Sequence, residues 1–237
     1  MKRLRTCAAL LTAATVALGV AACGSGDPGE ASGSTGGRAL VGTFKLAAGK
    51  CVGDHATGTY FRMINVNGTV AKGPFFGNPD SPCRDKSFNP QVPGTDGGLV
   101  TGTYQPGPAT SFDATGNALA SQIVRAGSFT AIKFGISTQK VDPGTELSVP
   151  APRITVSDGK LSGQVTAWSA SWNNLYFNQG TPKPDGTSPG LTSPLTGTYE
   201  ERTGAFVLTW VSGVVGGPFN GFAGAWHLEG TFVPAAS

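Results

Sequence analysis

The stretch GFAGAWHLEGTF, residues 221–232, decides the fold class of this chain. Its large apolar residues fall on one side of a two-residue repeat and are Phe222, Trp226, Leu228 and Phe232. The residues between them fall on the other side and are Ala225, His227, Glu229 and Thr231. A period of two is typical of a β-strand with one buried face. We therefore predict a strand whose polar face carries His227 and Glu229.

The same alternation recurs through the rest of the chain. Residues 128–138 and 153–168 repeat it, and Asp158-Gly159 separates two strand-like runs as hairpin turns do. Only Asn117 to Val124, NALASQIV, has spacing that suggests a helical turn. The sequence predicts an all-β fold, a single antiparallel sandwich or barrel-like domain over residues 39–237.

A short phrase also repeats. Thr-Gly-Thr-Tyr occurs at 57–60, 101–104 and 196–199, and the last two copies each follow a Phe-Asn pair and a Gly/Pro/Asp loop. Two duplicated halves would explain this pattern, and the alternative is that Thr-Gly-Thr-aromatic sequences are common in β-strands.

The first 22 residues have the composition of an export signal. MKRLRT carries three basic residues, fourteen uncharged residues follow, and small residues precede Cys23. The apolar run is shorter than the roughly 20 residues needed to span a bilayer. Val20-Ala21-Ala22-Cys23 resembles the lipobox of bacterial lipoproteins. The resemblance implies that the signal 1–22 is removed, that Cys23 carries lipid, and that the protein is anchored to the outer face of the cell membrane.

The following segment, residues 23–38, is rich in Gly and Ser and is predicted to be a flexible tether. Loss of the signal also changes the charge. The whole chain has 17 Lys+Arg and 14 Asp+Glu, and three of the basic residues lie in the signal, which leaves 14 of each sign. A formally neutral chain gives no electrostatic support for a nucleic-acid partner.

Two cysteines remain once Cys7 leaves with the signal and Cys23 is lipidated. Cys51 and Cys83 would then reside in an oxidising compartment, and we predict a disulfide between them. Two isolated cysteines lack the paired spacing of a metal site, and the chain has only two histidines, so we predict no metal and no cofactor.

The segment GQVTAWSASWNNLYFNQG, residues 163–180, is the best candidate for ligand binding. Continued alternation would place Trp168 and Trp172 opposite Val165 and Ala167, so both faces are buried, a bulge intervenes, or the tryptophans line a surface site. Aromatic rings beside amides suit carbohydrate or small-molecule capture, and core packing is the alternative. The candidate ligand-binding residues are Trp168, Trp172, Asn174, Tyr176 and Asn178.

Catalytic signals are weak. Gly-Thr-Ser-Pro-Gly at 186–190 matches a G-x-S-x-G esterase pattern, but Pro189 has no N–H to donate to an oxyanion.

The overall composition of the chain, including NQGTPKPDGTSPG and VGGPFNGFAGAWHLEGTF, resembles uncharacterised lipoproteins of high-GC Gram-positive bacteria, which implies an envelope location without a known reaction. The leading hypothesis is a lipid-anchored cell-envelope protein whose all-β domain binds a small molecule, a glycan or an envelope protein. An envelope enzyme with an unrecognised site and a structural surface lipoprotein are the alternatives.

Overall fold

The last strand organises the fold. The computed structural model describes residues 37–236, and in it Ala223–Pro234 forms one strand of 12 residues. Trp226, Leu228 and Phe232 are buried, while His227 and Glu229 keep part of their surface exposed. The alternation predicted from residues 221–232 is therefore confirmed.

The all-β prediction is confirmed, because the described residues form strands, loops and one short 3-10 helix, Gly217–Phe219. The large antiparallel sheet consists of β1 (Arg38–Leu40), β2 (Gly42–Leu46), β5 (Tyr60–Thr69), β6 (Gly73–Phe75), β7 (Asn89–Pro90), β8 (Gly98–Val100), β11 (Arg153–Ser157), β12 (Lys160–Gln164), β15 (Ser193–Tyr199), β16 (Ala205–Gly213) and β17 (Ala223–Pro234). A four-stranded sheet consists of β9 (Gly127–Phe129), β10 (Ile132–Thr138), β13 (Trp168–Trp172) and β14 (Leu175–Asn178), and a small hairpin consists of β3 (Lys50–Val52) and β4 (His55–Thr57).

The large sheet curls back on itself. Its order is β1-β11-β12-β15-β16-β17-β2-β8, and only Val41 separates β1 from β2 in the chain. The sheet thus returns to the segment from which it starts, which gives a barrel-like layer. The long strand β17 pairs with β5 along its first half and with β2 along its second half.

The core lies between this curled sheet and the four-stranded sheet. Phe44, Leu208 and Leu228 from the large sheet and Ile136 and Trp168 from the smaller one belong to the same buried cluster. Packing of one sheet against another explains why both sandwich and barrel features are present.

Local turn chemistry follows the sequence at the β11–β12 hairpin. Asp158 and Gly159 both have positive φ, 50° and 69°, which the two-residue type I′ turn requires. The helical turn suggested for Asn117 to Val124 is wrong. That segment is irregular, and Ala118 and Val124 make isolated bridges to other loops.

The repeated Thr-Gly-Thr-Tyr phrase does not mark equivalent strands. Residues 196–199 lie inside β15, whereas residues 101–104 follow β8 as irregular chain. The first strand begins at Arg38, one residue before the predicted domain start at Ala39. The predicted signal, Cys23 and the tether as far as residue 36 lie outside the described residues. No helix in the described part is long and apolar enough to cross a membrane.

Candidate functional site

The β13–β14 hairpin separates the predicted ligand-binding residues onto different surfaces. Trp168 and Trp172 lie on the face that packs against the large sheet, whereas Tyr176 and Asn178 lie on the opposite face with their partners Ser171 and Ser169. The five residues therefore do not form one surface.

Trp168 belongs to the core. Its side chain is fully buried, and its ring lies 5.4 Å from the ring centroids of both Trp210 and Trp226. In this position it has no exposed ring with which to contact a ligand.

Trp172 lies at the edge of the core. Its Nε1 donates to the Phe129 carbonyl at 2.8 Å, and its ring lies 5.3 Å from that of Phe219. Together with Gln179 these residues line an aromatic cavity of about 50 Å³, which is small compared with a drug-sized ligand site.

Asn174 and Asn178 both have local structural roles. Asn174 occupies the second position of a turn in which Asn173 and Asn174 have φ of 49° and 58°, as a tight hairpin needs. Asn178 donates through Nδ2 to the Asp142 carboxylate at 2.9 Å and to the Thr166 carbonyl at 2.7 Å.

A different part of the molecule gathers accessible polar groups. Cross-strand pairing brings six residues into line across the outer face of the large sheet. We call them the polar row, and they are Tyr60, His227, Thr209, Thr196, Ser162 and Thr155. Each has an exposed or partly exposed side chain. With neighbouring strands about 4.8 Å apart, the row is about 24 Å long.

Hydroxyl groups meet along this row. The Thr196 and Thr209 hydroxyls are 3.4 Å apart, and those of Thr155 and Ser162 are 3.1 Å apart. A hydroxyl can donate one hydrogen bond and accept two, so each pair retains capacity for a further partner.

The end of the row on β5 and β17 carries aromatic and ionisable groups. The Tyr60 and His227 rings stack with centroids 4.6 Å apart and planes 12° apart. His227 Nε2 lies 3.5 Å from Glu229 Oε2, which confirms that the two residues share a face. Burial raises the pKa of the Tyr60 phenol, an effect that Arg62 opposes and Glu229 reinforces.

Arg62 forms one wall beside the row. Its guanidinium lies 3.4 Å from the Phe75 ring centroid and 4.3 Å from that of Phe88, so both aromatic faces contact the cation. It also donates to the Ser87 hydroxyl at 3.0 and 2.7 Å and lies 3.5 Å from the Asp85 carboxylate. These contacts fix the side chain and balance its charge.

Two depressions follow each other along this face, and together we call them the sheet groove. One, of about 360 Å³, lies over Tyr60, His227 and Thr209 and is bordered by Phe75 and Phe88. The other, of about 470 Å³, is lined by residues further along the same strands, which are Thr198, Val207, Glu229 and Thr231 with Tyr199 and Glu200. Val207 and Glu229 are the next same-face residues after Thr209 and His227, so the depressions adjoin.

The predicted disulfide is confirmed and supports the rim of the groove. Cys51 and Cys83 are bonded, which ties the β3–β4 hairpin to the loop before Phe88. His55 of that hairpin lies with its ring 6.3 Å from Phe88, and Phe88 lies 5.3 Å from Tyr60. The covalent link therefore restrains the loop that borders the groove.

Sequence reasoning identified the shared face of His227 and Glu229 but missed Tyr60, Arg62 and the threonines of β15 and β16. Their alternation marks them as outward residues, and only the register of distant strands brings them together.

No family model, curated protein or solved structure matches this chain.

Proposed function

We propose that this protein is an exported, lipid-anchored component of the cell envelope whose all-β domain binds a neutral glycan strand along the polar row, which crosses the first depression of the sheet groove. The lipobox-like residues 20–23 support the anchor. The Cys51–Cys83 disulfide is compatible with an extracytoplasmic location, because such bonds persist in oxidising compartments.

The polar row carries the proposal for binding. It presents side-chain hydroxyls at regular strand spacing, and glycans present hydroxyls that donate and accept in the same way. The partly exposed side chains of Tyr60 and His227 add an amphipathic surface that can lie against a sugar ring. A row about 24 Å long suits a chain rather than a single sugar.

Charge favours a neutral ligand. Arg62 lies beside Asp85 and His227 lies beside Glu229, so both of these basic side chains already have an acidic partner. An anionic or cationic ligand would have to compete with these contacts, whereas a polyhydroxylated ligand can add hydrogen bonds to them.

Binding of neutral oligosaccharides of increasing length to the intact protein in detergent, measured by isothermal titration calorimetry, tests the proposal. Affinity should rise with chain length until the sugar spans the polar row. The double variant Thr196→Val and Thr209→Val keeps β-branched side chains and removes two hydroxyls, so it should weaken binding about tenfold.

Thr57→Val is the matched control, because Thr57 is an exposed strand threonine of β4 that lies outside the polar row. It should bind as the wild-type protein does. Equal affinity of the double variant and the wild-type protein, or binding that does not depend on chain length, would contradict the proposal.

A further inference from the structure

A buried cation lies away from the sheet groove. Lys183, in the loop between β14 and β15, is only 5 % exposed. Its Nζ donates to the Asn178 carbonyl at 2.7 Å and to the Ser212 hydroxyl at 2.6 Å. An ammonium group has three N–H donors, so one is left beyond these two contacts.

The fold does not need this amine to satisfy its two acceptors. The Asn178 carbonyl also accepts from Gln179 Nε2 at 3.1 Å. The Ser212 hydroxyl also donates to the Gly180 carbonyl at 2.9 Å. Both groups would therefore keep a protein partner if the amine were absent.

The cation has no close counter-ion. Within residues 37–236 no carboxylate oxygen lies within 4.0 Å of Lys183 Nζ. The charge of Asp142 raises the pKa of Lys183 from a greater distance. The Asp142 carboxylate already accepts hydrogen bonds from Gly144 N, Thr145 N, Thr145 Oγ1 and Asn178 Nδ2. Asp185 also raises this pKa, but its side chain is exposed to solvent. Burial of the amine has a larger effect than both carboxylates and lowers the pKa of Lys183 to about 8.

A pocket of about 260 Å³ adjoins this lysine. The polar residues Thr145, Tyr176, Thr187 and the exposed Asp185 line part of it. Apolar surface lines the rest, from Leu147, Pro184, Pro189 and Val215. The pocket thus offers a cation at one place and apolar contacts at another.

We propose that this pocket binds a small organic carboxylate, whose oxygen pairs with the Lys183 ammonium while its apolar part contacts Leu147 and Val215. The assignment rests on the opposite charges of the two groups. A buried cation without a close carboxylate is stabilised more by an anionic ligand than by a neutral one. The site is separate from the polar row and independent of glycan binding.

Titration of the intact protein with butyrate, and with butyramide as the uncharged analogue, tests the assignment. Binding is followed by NMR shifts of the Leu147 and Val215 methyl groups. Butyrate should saturate these shifts at least tenfold more tightly than butyramide. Above pH 8 its affinity should fall tenfold per pH unit, because only the protonated amine binds. Asp142, Asp185 and Tyr176 are the other titratable groups near the site.

Lys183→Met keeps an unbranched side chain, one heavy atom shorter, and removes the charge, so it should abolish the preference for butyrate. Lys133→Met, at an exposed position on β10, is the matched control and should bind butyrate normally. Equal binding of butyrate and butyramide to the wild-type protein, or the absence of saturable binding, would overturn the assignment whether or not the Lys183 variant folds. Glycan binding by the wild-type protein would be unaffected by either outcome.

Discussion

Lys183→Met should increase stability at neutral pH, and the gain should shrink as the pH rises. The pKa of Lys183 is lowered from 10.5 to about 8 in the folded protein. The unfolded chain therefore holds the proton more tightly, and burial of the charged amine costs about 3 kcal/mol at pH 7. This cost is fully present below pH 8 and disappears as the pH rises to 10.5. Between pH 7 and pH 9.5 it should fall by about 2 kcal/mol.

Urea unfolding of the wild-type protein, Lys183→Met and Lys133→Met at these two pH values measures the effect. The difference between wild type and Lys183→Met should change by about 2 kcal/mol, because every other titrating group is common to both. The difference between wild type and Lys133→Met should stay constant. A pH-independent difference for Lys183→Met would refute the reasoning, as would a large loss of stability at pH 7, which would show that the amine holds the fold together.

Three further predictions concern the core, the disulfide and the anchor. Trp168→Phe should lower the free energy of unfolding by less than about 1.5 kcal/mol, because the buried Nε1 has no hydrogen-bond partner in the described residues. Trp168→Ala should lower it by about 3–5 kcal/mol, and similar losses for the two variants in thermal unfolding would contradict a core role set by ring volume. Joint replacement of Cys51 and Cys83 by Ser should lower the free energy of unfolding by about 3–4 kcal/mol for a separation of 32 residues, and weaken glycan binding because the Phe88 loop loses its restraint; unchanged denaturant midpoints would contradict this. Cys23→Ala should abolish acyl labelling and move the protein from the membrane fraction to the soluble fraction, and a variant that is still lipidated would refute the anchor.

The fold class was predictable because a strand with one buried face has a two-residue hydrophobic period in its sequence. In β17 the two-residue period of Trp226, Leu228 and Phe232 reports a buried face without any knowledge of the neighbouring strands. The Asp158-Gly159 turn was predictable for a similar reason, since its chemistry is entirely local.

The tryptophan segment was harder, because its pattern changes where the chain changes sheet. β12 ends at Gln164 and β13 begins at Trp168, with a turn closed by a 2.8 Å hydrogen bond from Trp168 N to the Val165 carbonyl. The alternation restarts after this turn. The face on which Val165 lies therefore does not predict the face on which Trp168 lies, and the core position of Trp168 could not be inferred from Val165.

Residues 117–124 misled for a related reason. Ala118, Ala120, Ile123 and Val124 are all buried, so their spacing resembles one face of a helix. Irregular chain that lies along the edge of a core produces the same spacing without helical hydrogen bonds.

The polar row could not be predicted from sequence alone. Its residues are separated by up to 167 positions, from Tyr60 to His227, and each is an ordinary outward residue of its own strand. Only strand order and register align Thr196 with Thr209 and Thr209 with His227. Those quantities depend on long-range pairing that local patterns do not encode.

Chemical-shift mapping with a neutral oligosaccharide tests the central proposal most directly. The isotope-labelled protein should show saturable shifts along the polar row, with the largest at Tyr60, Thr196, Thr209 and His227, and none at the Lys183 pocket. Shifts confined to another surface, or none at saturating sugar, would contradict glycan binding along the polar row.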